Sequence, residues 1–150
     1  MTLNRNIEGR SSMSRSYVLD AWALLALLQG EEPAAGRVRQ ILVEGSQRQA
    51  DLLVSMVNLG EAYYRIGRRK GRAIAAQTLT EMRSLPLTVV AASDDMILDA
   101  ADLKMEYAIS YADAFAAALA TRTGATLVSG DPDFIQLANR IKLERLHRAK

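Results

Sequence analysis

The sequence predicts an α/β fold: a three-layer α/β/α sandwich with a mainly parallel central sheet. Three observations carry this. Short runs rich in Val, Leu and Tyr alternate along the chain with segments whose apolar residues recur every three or four positions. One helical segment, residues 113–121 (DAFAAALAT), is almost wholly apolar after its first turn, the pattern of a helix buried between other elements. The chain has 150 residues, 49% hydrophobic and 24% charged, enough for one well-filled core but not for two.

Residues 1–13 lack periodicity and read as a leader or an expression-derived segment, with Ile7-Glu8-Gly9-Arg10 similar to the recognition sequence of the processing protease factor Xa. The folded domain is expected over 14–150. Residues 16–20 (SYVLD) read as the first strand and 21–29 as a helix stopped by Gly30. Pro33 opens a second helix running to about Arg48. Residues 52–55 (LLVS) are the second strand, and 57–67 a helix with apolar Leu59, Ala62, Tyr63 and Ile66. Residues 67–71 read as a basic turn and 72–84 as another helix. The third strand is 87–90 (LTVV). Ser93 caps a helix ending near Tyr107, and 108–110 are expected as a minimal strand. The apolar helix follows, stopped by Gly124. Residues 126–129 (TLVS) form a further strand, Gly130-Asp131-Pro132 turns into a short helix, and 141–146 close the sheet as an edge strand.

Composition removes several chemistries. There is no cysteine, so disulfide scaffolds, thiolate zinc sites and thiol catalysis are excluded. The single histidine, His147, near the C-terminus, argues against a Ser-His-Asp triad or a multi-histidine metal centre. No apolar run reaches the ~18–20 residues of a membrane span, and no signal peptide is evident, so a cytoplasmic protein without membrane contact is expected. The remaining chemistry rests on carboxylates, hydroxyls, Lys/Arg or a bound ion.

In a parallel sheet, ligands bind beyond the carboxyl ends of the strands. Asp20 follows the first strand, Glu61 lies near the start of the helix after the second, Asp113 opens the apolar helix, and Asp131 follows TLVS. The topology carries all four to that edge. Singly, each has an ordinary explanation: Asp20 and Asp131 as helix caps, Ser110 and Asp113 as a capping box, Glu61 as a solvated helix residue. Together they repel unless a cation joins them, and oxygen-only donors select hard ions such as Mg²⁺ or Mn²⁺. A phosphodiester is the natural substrate of such a site.

The segments YVLDAWALLALL, NLGEAYYRI, YADAFAAALA and TLVSGDPDF, in this order and spacing, resemble the PIN domain, and within it the VapC-like toxin ribonucleases of toxin–antitoxin pairs. The resemblance spans residues 16–146. It implies a metal-dependent endoribonuclease, the toxin of a type II system, usually a homodimer and bound by a small antitoxin whose C-terminal segment blocks the site. Asp20, Glu61, Asp113 and Asp131 match the family's acidic quartet. Asp20 and Asp113 would be the firmest metal ligands, with Glu61 and Asp131 holding waters or a second ion. Ser129 matches the hydroxyl two residues before the last Asp, and Asp133 is a fifth acid that serves equally as a first-turn helix residue. Where the family often has Ser, Thr or Asn, this chain has Trp22, read here as a core aromatic.

Arg65, Arg68, Arg69 and Lys70, just beyond Glu61, are candidates for gripping RNA phosphates, and serve equally as a solvated basic turn. The basic C-terminus, including Arg148, reads as a flexible end. Two rival readings share the same acids. One is a metal-dependent phosphohydrolase; the other is a catalytically weak module binding RNA or protein.

Overall fold

The computed structural model describes residues 15–149; the leader expected over 1–13 lies outside them. Five strands form one all-parallel sheet: β1 (Arg15–Leu19), β2 (Ala50–Ser55), β3 (Thr88–Val90), β4 (Thr126–Ser129) and β5 (Lys142–Arg145), in the order β3-β2-β1-β4-β5. The helices are α1 (Ala21–Gln29), α2 (Ala34–Ser46), α3 (Met56–Lys70), α4 (Arg72–Arg83), α5 (Asp94–Glu106) and α6 (Tyr111–Thr123), with a 3₁₀ turn at Pro132–Leu137.

The layering follows from strand periodicity. Successive side chains on a strand point to opposite faces. Tyr17 and Leu19 of β1, Leu52 and Val54 of β2, and Val128 of β4 enter one core, with α1, α2 and parts of α3 and α4. Val18, Leu53 and Leu127 enter the other, with α5, α6 and Phe134 of the 3₁₀ turn. Burial on both faces explains why the strands read as continuous apolar runs rather than alternating ones. The α/β/α sandwich expected from the sequence is therefore present. Helix α6 has eight buried residues between Asp113 and Ala120, as its composition predicted.

Two local expectations are corrected. Residues 108–110 form no strand. Ile109 instead plugs the second core, its carbonyl accepts a hydrogen bond from Lys104 Nζ at 2.8 Å, and Ser110 caps α6. The basic stretch after Gly67 is not a turn: α3 continues through Lys70. Gly67 lies inside the helix, where a Cβ would make only an ordinary contact, 3.5 Å, with that of Ala75 on α4. The basic residues of the last turn complement the helix dipole, and the chain breaks at Gly71, where φ is 92°.

Strand order reverses about β1. From there β2 and β3 lead one way, β4 and β5 the other, so the crevice between the ends of β1 and β4 is the sheet's switch point, the place where such folds bind ligands. No helix among the described residues is long and apolar enough to cross a membrane.

Candidate active site

Four elements deliver four carboxylates to that crevice. Leu19 pairs with Val128 in the β1–β4 register, so the next residues, Asp20 and Ser129, are neighbours. Ser129 Oγ donates to Asp20 Oδ2 at 2.5 Å and accepts from the Asp131 backbone N–H at 3.0 Å. The other Asp20 oxygen accepts from Ala23 N–H at 2.9 Å, capping α1. The capping explanation and the site explanation of Asp20 thus hold at once. Asp131 in turn caps the 3₁₀ turn by accepting from Asp133 N–H at 2.9 Å. Asp113, in the first turn of α6, is buried, and its N–H is capped by Ser110 Oγ at 3.1 Å.

Glu61 arrives on α3, which packs against both α1 and α6. The fully buried Asn58, one turn before it, ties α3 to α6 by donating from Nδ2 to the Ala112 carbonyl at 2.9 Å. Glu61 accepts from Arg65 Nε at 3.0 Å, an i,i+4 pair.

Asp20, Glu61, Asp113 and Asp131 line one cavity of about 460 Å³, together with Trp22, Tyr64 and four arginines: Arg65, Arg68, Arg69 and Arg148. Lys70 does not line it. Asp113, Asp131 and Asp133 each offer a carboxylate oxygen within 4.8 Å of those of the other two. Asp133, read from sequence as either a fifth acid or a helix residue, occupies both positions.

Electrostatics match the crowding. Burial pushes the Asp20 carboxyl up to about 7, and the charges of Asp113 and Asp131 add to this; only the Ser129 and Ala23 hydrogen bonds favour its ionised form. Asp113 is also pushed up to about 7, first by burial, then by the charge of Asp131, with Glu61 contributing. Such a set of hard oxygen donors, lacking a counter-charge at its buried end, fits a hard divalent cation.

The sequence missed one wall of the cavity. Trp22 is half-buried: it packs on the first core as expected, and its ring also faces the cavity. It lies directly on Gly130, where a Cβ would fall 2.2 Å from Cζ2. Arg148, expected in a flexible end, stacks on Trp22 with its guanidinium 5.0 Å from the ring centroid. The available signal was the residue between Ser129 and Asp131: only glycine leaves room for an indole there.

Solved structures with this fold include VapBC2 from Rickettsia felis bound to a DNA fragment from their promoter (18% identity, TM-score 0.67, covering 88% of this chain and 99% of that one). The sarcin-ricin loop cleaving toxin VapC20 of Mycobacterium tuberculosis is similar (19%, 0.66, 84% and 97%), as is DNA-bound VapBC from Salmonella typhimurium (15%, 0.68, 87% and 98%). No curated protein sequence matches the chain. Residues 17–140 match the PIN domain, a stretch that holds all four carboxylates and four of the five strands except for the first two residues of β1, and by that match the chain belongs to the PIN domain family.

Proposed function

We propose that this protein is a metal-dependent endoribonuclease, the toxin of a type II toxin–antitoxin pair. One observation carries the reading: carboxylates from four separate elements converge on a single cavity whose rim is lined by arginines. Acids at the centre and cations around them suit a polyanionic substrate that is cut at a metal. Family membership and the fold shared with VapC toxins support it.

In this reading Asp20, Asp113 and Asp131 hold Mg²⁺ or Mn²⁺, with Glu61 and Asp133 at the margins of the site. A divalent ion bound there supplies Lewis acidity towards the phosphate and lowers the pKa of water. The protein's own residues do the rest. Ser129 keeps the Asp20 carboxylate and the Asp131 backbone in register through its two hydrogen bonds. Asn58 fixes the helix that bears Glu61 against the one that bears Asp113. Arg65, Arg68 and Arg69 draw RNA phosphates to the rim.

The antitoxin belongs to the same reading. Beside the acidic cavity, a second one of about 330 Å³ between α3 and α4 is lined by Tyr63, Tyr64, Gly67, Arg68, Arg72 and Ala75. An apolar partner segment seated there can extend a cationic end into the acids, where a guanidinium bridges two carboxylates. Exposed Leu98 and Met105 on α5 suit a second copy of the chain, the expected homodimer.

Incubation of the purified protein with structured RNA, with and without Mg²⁺ or Mn²⁺, tests the reading. Cleavage that requires the metal is the expected result. Release of phosphate from small monoesters without RNA cleavage would make it a phosphohydrolase, and metal-independent RNA binding without cleavage would make it a binding module.

A further inference from the structure

The α1 side of the cavity carries a group that the acids do not explain. After β5 the chain turns back across the loop between α1 and α2. The N–H of buried Leu146 donates to the Ser129 carbonyl at 2.9 Å, Arg148 forms an antiparallel bridge with Pro33, and Ala149 N–H donates to the Glu32 carbonyl at 2.9 Å. The Arg148 guanidinium is then held between the Trp22 indole, at 5.0 Å, and Glu31 Oε1, 3.1 Å from Nη1. With its amide oriented to satisfy both neighbours, Gln29 donates to Glu31 at 3.3 Å and accepts from Arg69 Nη1 at 2.7 Å. A polar chain from Arg69 to Arg148 therefore joins the two cationic parts of the rim.

This arrangement has consequences for binding. An unrestrained arginine loses much rotamer freedom when it grips a ligand. Arg148 is already ordered by an aromatic seat and an acid, and it keeps other N–H donors for a ligand. Three of the four arginines lining the cavity come from α3, and one of these, Arg65, is engaged by Glu61. Arg148 is the lining arginine that does not come from α3. A strand crossing the acids carries phosphates next to the bond to be cut, and each needs a cation to offset the acidic field.

We propose that Arg148, seated on Trp22, binds a backbone phosphate of the RNA next to the one cleaved, at the α1 wall of the cavity where the Gln29–Glu31 chain links it to Arg69. The proposal rests on the ribonuclease reading above. It makes the C-terminal segment part of the substrate-binding surface.

Fluorescence anisotropy of a short labelled single-stranded RNA, in chelator and over a series of salt concentrations, tests it. Arg148→Gln should weaken binding about five- to tenfold at low salt and lower the slope of log K against log salt by about 0.7, the loss of one phosphate contact. Arg148→Lys should keep the slope and recover part of the affinity. Arg15→Gln, at the opposite end of β1, should change neither. With Mg²⁺ or Mn²⁺, Arg148→Gln should raise KM and leave kcat within about twofold. A melting curve establishes that the Gln variant is folded. If it is not, Arg148→Lys decides, and wild-type affinity in that variant overturns the proposal. Wild-type affinity and slope in a folded Arg148→Gln overturn it while the ribonuclease reading stands. A wild-type protein that neither binds nor cleaves RNA removes both.

Discussion

Two groups of charges in this molecule are built in opposite ways. Glu144 on β5 meets Arg37 of α2 through a two-pronged contact, Oε2 to Nε at 2.7 Å and Oε1 to Nη2 at 3.0 Å, while the guanidinium also stacks on Tyr17. Here a partly buried carboxylate has a matching cation in fork geometry. At the β1–β4 crevice, Asp20 and Asp113 are buried with more carboxylates nearby, and their partners are neutral: the Ser129 hydroxyl and the Ala23 N–H for Asp20, and the Ser110 hydroxyl for Asp113. The same chain that neutralises Glu144 leaves these acids crowded. Crowding of this kind is what a cation site requires, and under the function proposed above the partner of these acids is a cation from outside the chain.

Breaking either group should have distinct effects. Asp113→Asn keeps the side chain's size and removes one charge from the crowded set. It should lower RNA cleavage roughly a hundredfold or more while leaving the fold intact, as measured by initial rates in Mg²⁺ or Mn²⁺ and by circular dichroism. Glu144→Gln should do the reverse. It leaves Arg37 without its forked acceptor, so urea unfolding should show a loss of about 1–2 kcal/mol with cleavage little changed.

The wall that carries Trp22 offers a third test. Gly130→Ala places a methyl group where the indole sits, so Trp22 must move and the Ser129–Asp131 turn with it. The expected outcome is a loss of roughly 1–3 kcal/mol from overpacking, a shift in tryptophan fluorescence, and a fall in cleavage well short of that in Asp113→Asn.

Most of this was legible in the sequence, for definable reasons. Asp20 and Asp131 directly follow strands, and an all-parallel sheet sends such positions to one edge; Asp113 joins them because it opens α6, the helix that runs back to the start of β4. Glu61 could be placed because it lies near the start of the helix that follows the second strand. What was hidden depended on contacts distant in sequence. Arg148 is ordered by Trp22 and Glu31, more than a hundred residues earlier, and a basic tail by itself reads as flexible. Residues 68–70 looked like a turn because glycine and a charge run usually mark one, yet the basic run completes α3 and the break falls at Gly71. Residues 108–110 have strand-like composition, but the helix cap at Ser110 takes the backbone elsewhere.

The crowded acids also predict a pH dependence in metal-free protein. Asp20 and Asp113 have native pKa values near 7, against about 3.9 for an unfolded Asp. Between about pH 4 and 7 the folded protein holds protons that the unfolded chain has released. Stability from these groups is therefore greatest at the acid end and is lost as pH rises through 7. In chelator, the melting temperature should rise by a few degrees, roughly 5 °C, from pH 8 to pH 5.5. Asp113→Asn should flatten that rise.

The central claim is that these acids form a cation site, and the most direct test is thermal melting of wild type and Asp113→Asn at pH 8, each in chelator and in millimolar Mg²⁺ or Mn²⁺. Metal that binds the native state adds RT ln(1 + [L]/Kd), about 2.7 kcal/mol at one hundred times Kd. The wild type should melt clearly higher with metal, and Asp113→Asn should respond weakly while melting at or above wild type in chelator. Equal metal responses in the two proteins, or none in either, would contradict the account.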